Sequence, residues 1–288
     1  MRFRDRLCSG RFVVTMDSIP PKGTDLSRTL RALAPARERV DAINVPDMPS
    51  AVMRVSALAV ARALKEQGFE PILQMTCRDR NRLALQADLL GAAVLGIENV
   101  LILGGDDVSL SDHPGARGVF DLDSVALLEA ARSLERGVDM AGHRLEGAPR
   151  FCLGAAANPN AASPDDELRE MEAKVRAGAD FFQTQPVFDL DAFAAFMKRA
   201  EGLGVPVLGG VFLLKSARMA RYMNENVPEV HVPQWVIAAL EGAKDPAAKS
   251  LEIALSILQG MRGLCAGVHL MTVNWEAQAI ALLEAAGL

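Results

Sequence analysis

Short β-branched or aliphatic runs alternate along the chain with longer amphipathic stretches, the pattern of repeated βα units. Eight runs read as strands: residues 12–16, 41–45, 71–75, 100–103, 151–155, 180–184, 205–209 and 268–272. Each is near the usual strand length. The stretches 51–67 and 81–95 are rich in Ala, Leu, Arg and Gln and run into Gly68 and Gly96, where a left-handed helix cap is needed. Ser163-Pro164-Asp165-Asp166 reads as a helix start with serine as cap and proline in the first turn, and Gly178 closes that helix. Three helical patterns, 215–224, 233–241 and 245–262, fall between the seventh and eighth strands, more than a minimal barrel needs. The expectation is one α/β domain over residues 1–288, a parallel (β/α)8 TIM barrel with extra helices before the last strand. A doubly wound open sheet shares the alternation, but no GxGxxG follows the first strand. Two irregular stretches are long enough to act as lids, 107–118 and 139–149, and the first directly follows the fourth strand.

Composition narrows the class. With 288 residues, 50% of them hydrophobic, the chain suits one large domain. Its 31 basic and 36 acidic residues give a net charge of −5 without long single-sign runs, which argues against a nucleic-acid partner. The four cysteines, Cys8, Cys77, Cys152 and Cys265, form no CxxC pair, so neither a zinc site nor a disulfide framework is expected, and a reducing cytoplasm fits. No run of about 18 apolar residues and no leader pattern occurs, so a protein outside the membrane is expected. A homo-oligomer stays open, since helix faces that cover a barrel and those that join subunits look alike in one sequence.

In such barrels the loops after the strands' C-terminal ends build the active site. The residues there are Asp17 with Ser18-Ile19-Pro20-Pro21-Lys22-Gly23, Thr76-Cys77-Arg78-Asp79, Gly104-Gly105-Asp106-Asp107, Asn158-Pro159-Asn160, Gln185-Pro186 and Asn274. Asp17 and Asp106 could pair for acid/base work, with Gln185 as a neutral partner for a heterocycle. Equally, Asp17 could start a turn and Asp106 or Asp107 could cap the next element. Gly104-Gly105 could admit a phosphate or a ring close to backbone, or simply turn the chain. His113, His143, His231 and His269 lack metal spacing and read as surface or core residues, with no metal expected. Cys77 reads as a buried thiol, the pair Met219 and Met223 as a buried helix face, and Arg78, Arg80 and Arg82 as solvated.

Several blocks carry a resemblance. Thr76-Cys77-Arg78-Asp79-Arg80-Asn81-Arg82, Leu85-Gln86-Ala87-Asp88-Leu89-Leu90-Gly91-Ala92 and Asn99 to Asp106 closely resemble the central region of methylenetetrahydrofolate reductases. Phe12 to Asp17 with Pro20-Pro21-Lys22 is similar to that family's first strand and double-proline loop, and Lys174 to Phe182 with Thr184-Gln185 and Phe188-Asp189 to its AGAD…TQ segment. The resemblance spans about residues 11 to 275. It implies a barrel holding FAD at the C-terminal face, which takes hydride from NAD(P)H and passes it to the methylene carbon of a folate, in either direction. That chemistry belongs to one-carbon metabolism and methionine biosynthesis.

By position the resemblance makes Asp106 the aspartate near flavin and pterin, Gln185 the pterin's hydrogen-bond partner and Lys174 a flavin phosphate contact. Thr76, Leu103, Gly104, Gly105 and Asn158 would line the cofactor. Asp17 falls where better-known members carry a glutamate that helps protonate the folate, and is one methylene shorter. Ala157-Asn158-Pro159-Asn160 lacks the family's tyrosine and histidine, position 74 is Gln where histidine is usual, and Trp275 stands where an arginine is common. Three readings follow: a flavin-dependent reductase, the same barrel passing hydride directly from NAD(P)H to folate, or a non-catalytic pterin-binding or electron-transfer subunit.

Overall fold

The structure, a computed structural model, describes residues 2–227 and 230–288. Eight parallel strands pair in sequence order and close on themselves: β1 (Val13–Asp17), β2 (Ala42–Val45), β3 (Pro71–Thr76), β4 (Asn99–Leu103), β5 (Cys152–Ala157), β6 (Phe181–Pro186), β7 (Val207–Phe212) and β8 (Gly267–Met271). β1 pairs with β8 from Val13 opposite Gly267 to Met16 opposite Leu270, so the open-sheet alternative falls. Around them run α1 (Phe3–Leu7), α2 (Ser27–Leu33), α3 (Ala57–Glu66), α4 (Arg82–Val94), α5 (Ser124–Glu135), α6 (Pro164–Ala177), α7 (Leu190–Ala200), α8 (Ala217–Asn226), α9 (Gln234–Gly242), α10 (Pro246–Met261) and α11 (Glu276–Ala285). The three helices expected between the last two strands are α8, α9 and α10. Ser163 caps α6 by accepting from the Asp166 N–H, and Gly178 ends it at φ +113°. No helix among the described residues is long and apolar enough to cross a membrane.

Alternation along each strand divides the side chains between two environments. Outward residues such as Met16, Ile43, Met75, Ile102, Phe182 and Leu270 pack under the helices. Inward, at the N-terminal end, Val13, Ala42, Ile72, Leu101, Cys152, Phe181 and Leu208 form an apolar floor together with Phe3 and Leu7 of α1. The rings of Phe3 and Phe181 meet edge to face at 5.4 Å, and Gly154 leaves room for Phe181. This short plugging helix escaped the sequence reading because five residues show too little periodicity. It is tied down by charge: Arg4 donates to Asp180 at 2.7 Å, and Arg6 bonds Asp41.

Those two aspartates explain why β2 and β6 start one residue later than expected. Each turns its carboxylate to a neighbouring strand, Asp41 accepting from the Val14 N–H and Asp180 from the Leu153 N–H, both at 2.8 Å. Another boundary moved further. The helix expected from residue 51 begins at Ala57, because carboxylates from the loop after β4 capture the preceding backbone: Asp106 accepts from Ser50 N (2.6 Å) and Asp112 from Met53 N (3.0 Å).

Barrel closure at the β1–β8 seam leaves no room at Gly267, where an added Cβ would lie 2.1 Å from the Val13 carbonyl oxygen. Gly267→Ala is therefore expected to lower stability by about 1–3 kcal/mol or more, the usual cost of overpacking. Gly23→Ala, at a site with open space, should stay within about 0.5 kcal/mol of the parent. Urea unfolding of the two variants checks this; equal midpoints would show that the seam tolerates slack.

Candidate active site

Above the apolar floor the barrel interior turns polar. Thr15 of β1, Asn44 of β2, Gln183 of β6 and His269 of β8 are all buried and bonded to one another. Asn44 Nδ2 donates to Gln183 Oε1 (2.6 Å), and Gln183 Nε2 donates to Asn44 Oδ1 (3.2 Å) and Thr15 Oγ1 (3.1 Å). Thr15 Oγ1 lies 3.0 Å from His269 Nδ1 and 3.4 Å from the Val268 carbonyl oxygen. On the other side of the imidazole, Nε2 stands 3.3 Å from Asp17 Oδ1. That contact is close enough for an ion pair but is not aligned as a hydrogen bond, and Oδ1 is buried with no other partner. Asp17 thus sits at the top of a continuous buried polar chain. It does not merely start a turn.

Asp17 and Asp106 have different partners and lie on strands three apart in the barrel. Asp106, exposed, accepts from Ser50 N, and its carbonyl accepts from Arg78 Nη1 at 3.3 Å. Asp107 is the capping residue, accepting from Ser109 N at 2.7 Å. Beyond it the loop reaches across the face. Asp112 bonds Lys22 in the double-proline loop, His113 Nδ1 (2.8 Å) and Met53 N. The Lys22 hydrogen bond, then the Met53 N–H and His113, hold the Asp112 carboxyl well below the ordinary carboxylate range. A carboxylate depressed in this way keeps its bonds above its ordinary range and loses them only as pH falls, so the strap stays fastened at neutral pH. The second expected lid, residues 139–149, is instead fastened outside the barrel, where Met140 N donates to Gln86.

Non-glycine residues with left-handed backbone occur at Met48, Ser50, Ala51, Phe120, Val273 and Asn274, all in loops that follow strands. Such strain costs of order 1–3 kcal/mol each and gathers at functional faces. A cavity of about 430 Å³ lies between Met48, Ala51 and Met53 on one side and Val108, Ser111 and the stretch His113 to Ala116 on the other, with Asp79 also lining it. It is beside the strand ends, and neither Asp17 nor Gln185 lines it.

A second buried cluster occupies the ends of β2, β3 and β4. Asp47 accepts from Thr76 N (3.1 Å), Thr76 Oγ1 (3.1 Å) and Arg80. Arg78, expected in solvent, is 1% exposed and donates to Asp79 (2.8 and 2.7 Å) and to the Met48 carbonyl (3.1 Å). Arg80 also bonds Asp88 (2.9 Å), and Arg82 pairs with Asp121 (2.8 Å) at the surface. The correction has a simple source: strand-end arginines were read without the four aspartates that folding brings to them. Gly105 adopts φ +98° over this cluster, with an added Cβ 2.9 Å from Arg78 Cβ, while Gly104 faces open space.

Lys174 is buried, its ammonium on the Ala156 carbonyl (2.9 Å) and Glu170 (2.6 Å). Asn158 Oδ1 accepts from Asn160 N (2.9 Å), and Asn160 Nδ2 donates to the Pro186 carbonyl (3.0 Å), joining the ends of β5 and β6. Gln185 stands at an irregularity in the β6–β7 ladder, where Thr184 Oγ1 accepts the Gly210 N–H at 2.9 Å. Lys215 lies 5.9 Å over the Trp275 ring. Cys77 is a buried thiol as expected, pushed by burial up to about 11 and so uncharged at neutral pH. His269, Thr15, Asn44, Gln183 and Asp47 were missed. Their signal was available: Asn44 and Gln183 are polar residues inside strands whose two faces are both buried.

A family model described as methylenetetrahydrofolate reductase matches residues 2–287. Methylenetetrahydrofolate reductase 1 of Schizosaccharomyces pombe is 25% identical over 229 residues, 75% of this chain and 35% of that protein. The probable methylenetetrahydrofolate reductase (NADH) of Oryza sativa subsp. japonica is 29% identical over 229 residues, 76% of this chain and 38% of that protein. The chain therefore spans well under half the length of these two relatives. Against the 5,10-methylenetetrahydrofolate reductase of Salmonella typhimurium it is 22% identical over 290 residues, with 96% and 92% covered. Among solved structures, EDTA monooxygenase (EmoA) from Chelativorans sp. BNC1 matches with a TM-score of 0.57 at 10% identity, covering 96% of this chain and 94% of that one, a likeness of fold. With nearly its whole length matched by the family model, the chain belongs to the methylenetetrahydrofolate reductase family.

Proposed function

We propose that the chain moves hydride between a nicotinamide nucleotide and the one-carbon unit of a reduced folate, as a methylenetetrahydrofolate reductase. The observation that carries this reading is Asp17: a carboxyl at the C-terminal end of a barrel strand, sheltered on one side and backed by a buried imidazole. A general acid needs a fixed orientation, and this arrangement supplies it. In the reductive direction Asp17 protonates the folate nitrogen that leaves the one-carbon bridge, opening the ring to an electrophilic iminium that hydride reduces. Gln185 hydrogen-bonds the pterin, and Asp106, across the face, supplies negative charge near it.

FAD is the carrier that the resemblance implies. The backbone at Gly104 offers a ring a close approach, since an added Cβ there would meet only free space. The groups that would hold the rest of the cofactor are committed elsewhere. Lys174 is buried on Ala156 and Glu170, Thr76 gives both its N–H and its hydroxyl to Asp47, and Arg78 and Arg80 are paired with carboxylates. These residues do not fit a resident diphosphate. That mismatch favours the second reading, direct transfer between nicotinamide and folate, since a co-substrate that visits and leaves needs a weaker hold than a retained cofactor.

Two outcomes are expected. Asp17→Asn should lower methylenetetrahydrofolate-dependent NAD(P)H oxidation by about 10²- to 10⁴-fold, the usual contribution of a general acid, with an unchanged circular dichroism spectrum. Turnover that survives the change removes Asp17 from the chemistry. The visible absorption spectrum of the purified protein with added FAD should show no retained flavin band, while NAD(P)H is oxidised only when folate is present. A flavin band that bleaches with nicotinamide and returns with folate would instead establish the flavin-dependent cycle.

A further inference from the structure

The reading of Asp17 as the acid leaves a difficulty. A carboxylic acid ordinarily gives up its proton near pH 4, whereas an imidazole is the side chain that changes charge between pH 5 and 8. His269 stands 3.3 Å from Asp17 and is 3% exposed. Its surroundings satisfy Nδ1 whether or not that nitrogen carries a proton. The reciprocal Asn44–Gln183 pair fixes the Gln183 amide so that its N–H points at Thr15 Oγ1. With that lone pair taken, the Thr15 hydroxyl has two acceptors to choose from, His269 Nδ1 at 3.0 Å and the Val268 carbonyl at 3.4 Å. If Nδ1 is bare, the hydroxyl donates to it. If Nδ1 carries a proton, the hydroxyl turns to Val268 and its oxygen accepts from the imidazole. In both states Nδ1 keeps Thr15 as its partner.

We infer that His269 is a positioning residue that stores the proton Asp17 delivers, and that Thr15, Gln183 and Asn44 are the device that lets it do so. This rests on Asp17 acting as the acid. In the reductive step Asp17 passes a proton to the leaving folate nitrogen while drawing the Nε2 proton from the His269 imidazolium, as that nitrogen's bond to the methylene carbon breaks and the bonding pair stays on it. The other folate nitrogen donates its lone pair to form the iminium. Hydride from the nicotinamide reduces the carbon and the nicotinamide is oxidised. Nδ1 keeps its proton on Thr15, the pair is left as carboxylate and neutral imidazole, and it takes up a proton again through Asp17 before the next turnover.

The groups facing His269 are few. β1 gives Asp17 and Thr15, β6 gives Gln183, and β7 places Gly210 opposite it in the ladder. Among the described residues Asp17 is the ionisable side chain recorded in contact with the ring. A pH dependence arising here is therefore a property of the pair.

The test is the pH profile of the reductive kcat and kcat/KM, from pH 5.5 to 9, for the parent, His269→Gln and Thr15→Val, with Asp17→Asn beside them. With His269 present, turnover persists through neutral pH and falls as the stored proton is lost at higher pH. In His269→Gln the falling limb should move to lower pH, so that kcat drops about tenfold or more at pH 7.5 yet recovers toward the parent at pH 5.5, with KM for folate little changed. Thr15→Val keeps the volume but leaves Nδ1 without its hydroxyl, and should move the limb the same way by less. It serves if His269→Gln does not fold. A loss equal at every pH, or an unshifted limb in both variants, overturns the inference while leaving Asp17 as the acid. Undiminished turnover in Asp17→Asn removes the acid reading itself, a separate failure.

Discussion

The seam between β1 and β8 is the constraint on which the rest of the structure depends. Closing it sets Thr15 opposite His269 in the ladder, although 254 positions separate them in the chain. Because inward and outward side chains alternate, a slip of one residue would send Thr15, Asp17 and His269 to the helix side and bring Met16 and Leu270 into the interior. Gly267 guards against such a slip, since only a residue without Cβ can approach Val13 this closely. The carboxylate, the imidazole behind it and the amides beneath are in this sense consequences of closure.

Closure also decides what the interior can contain. A barrel has no edge and no water-exposed inner face, so polar atoms at mid-height must satisfy one another. The floor avoids the problem with aliphatic and aromatic residues and the α1 plug. The layer above solves it with complementary donors and acceptors from four strands. The rim solves it with charge: Asp47, Asp79 and Asp88 answer Arg78 and Arg80. Removing one member of such a buried pair leaves a charge unpartnered and costs several kcal/mol. The same commitment that stabilises the rim therefore limits what a visiting phosphate can recruit there.

The fold was legible in the sequence because its signals are local. Aliphatic runs of strand length, glycines after helices and Ser163-Pro164 each announce themselves within a few residues, and all eight strands were found within one or two residues of their starts. The rim residues were legible through the resemblance, which rests on blocks such as Asn99 to Asp106. The interior layer was not. His269, one of four scattered histidines, has no partner within its own strand, and only closure shows that β1 supplies two. Asn44 and Gln183 carried a weak local signal, a polar side chain in a strand buried on both faces, whose meaning depends on their being 139 positions apart and paired. Arg78 was misplaced for the same reason: beyond its neighbour Asp79, its partners Met48 and Asp106 come from two other loops.

Aspartate at position 17, in place of the family's glutamate, gains a rationale from this geometry. A glutamate carboxyl would stand one bond, about 1.5 Å, further from the backbone. Extended toward the mouth, it would move away from an imidazole that the aspartate meets at 3.3 Å. The shorter acid exchanges reach for a buried partner. Whatever meets this carboxyl must then come down to the strand ends, where Gly104 opens to free space. The reach of the carboxyl and its contact with the imidazole are thus linked through one methylene group, and lengthening the first loosens the second.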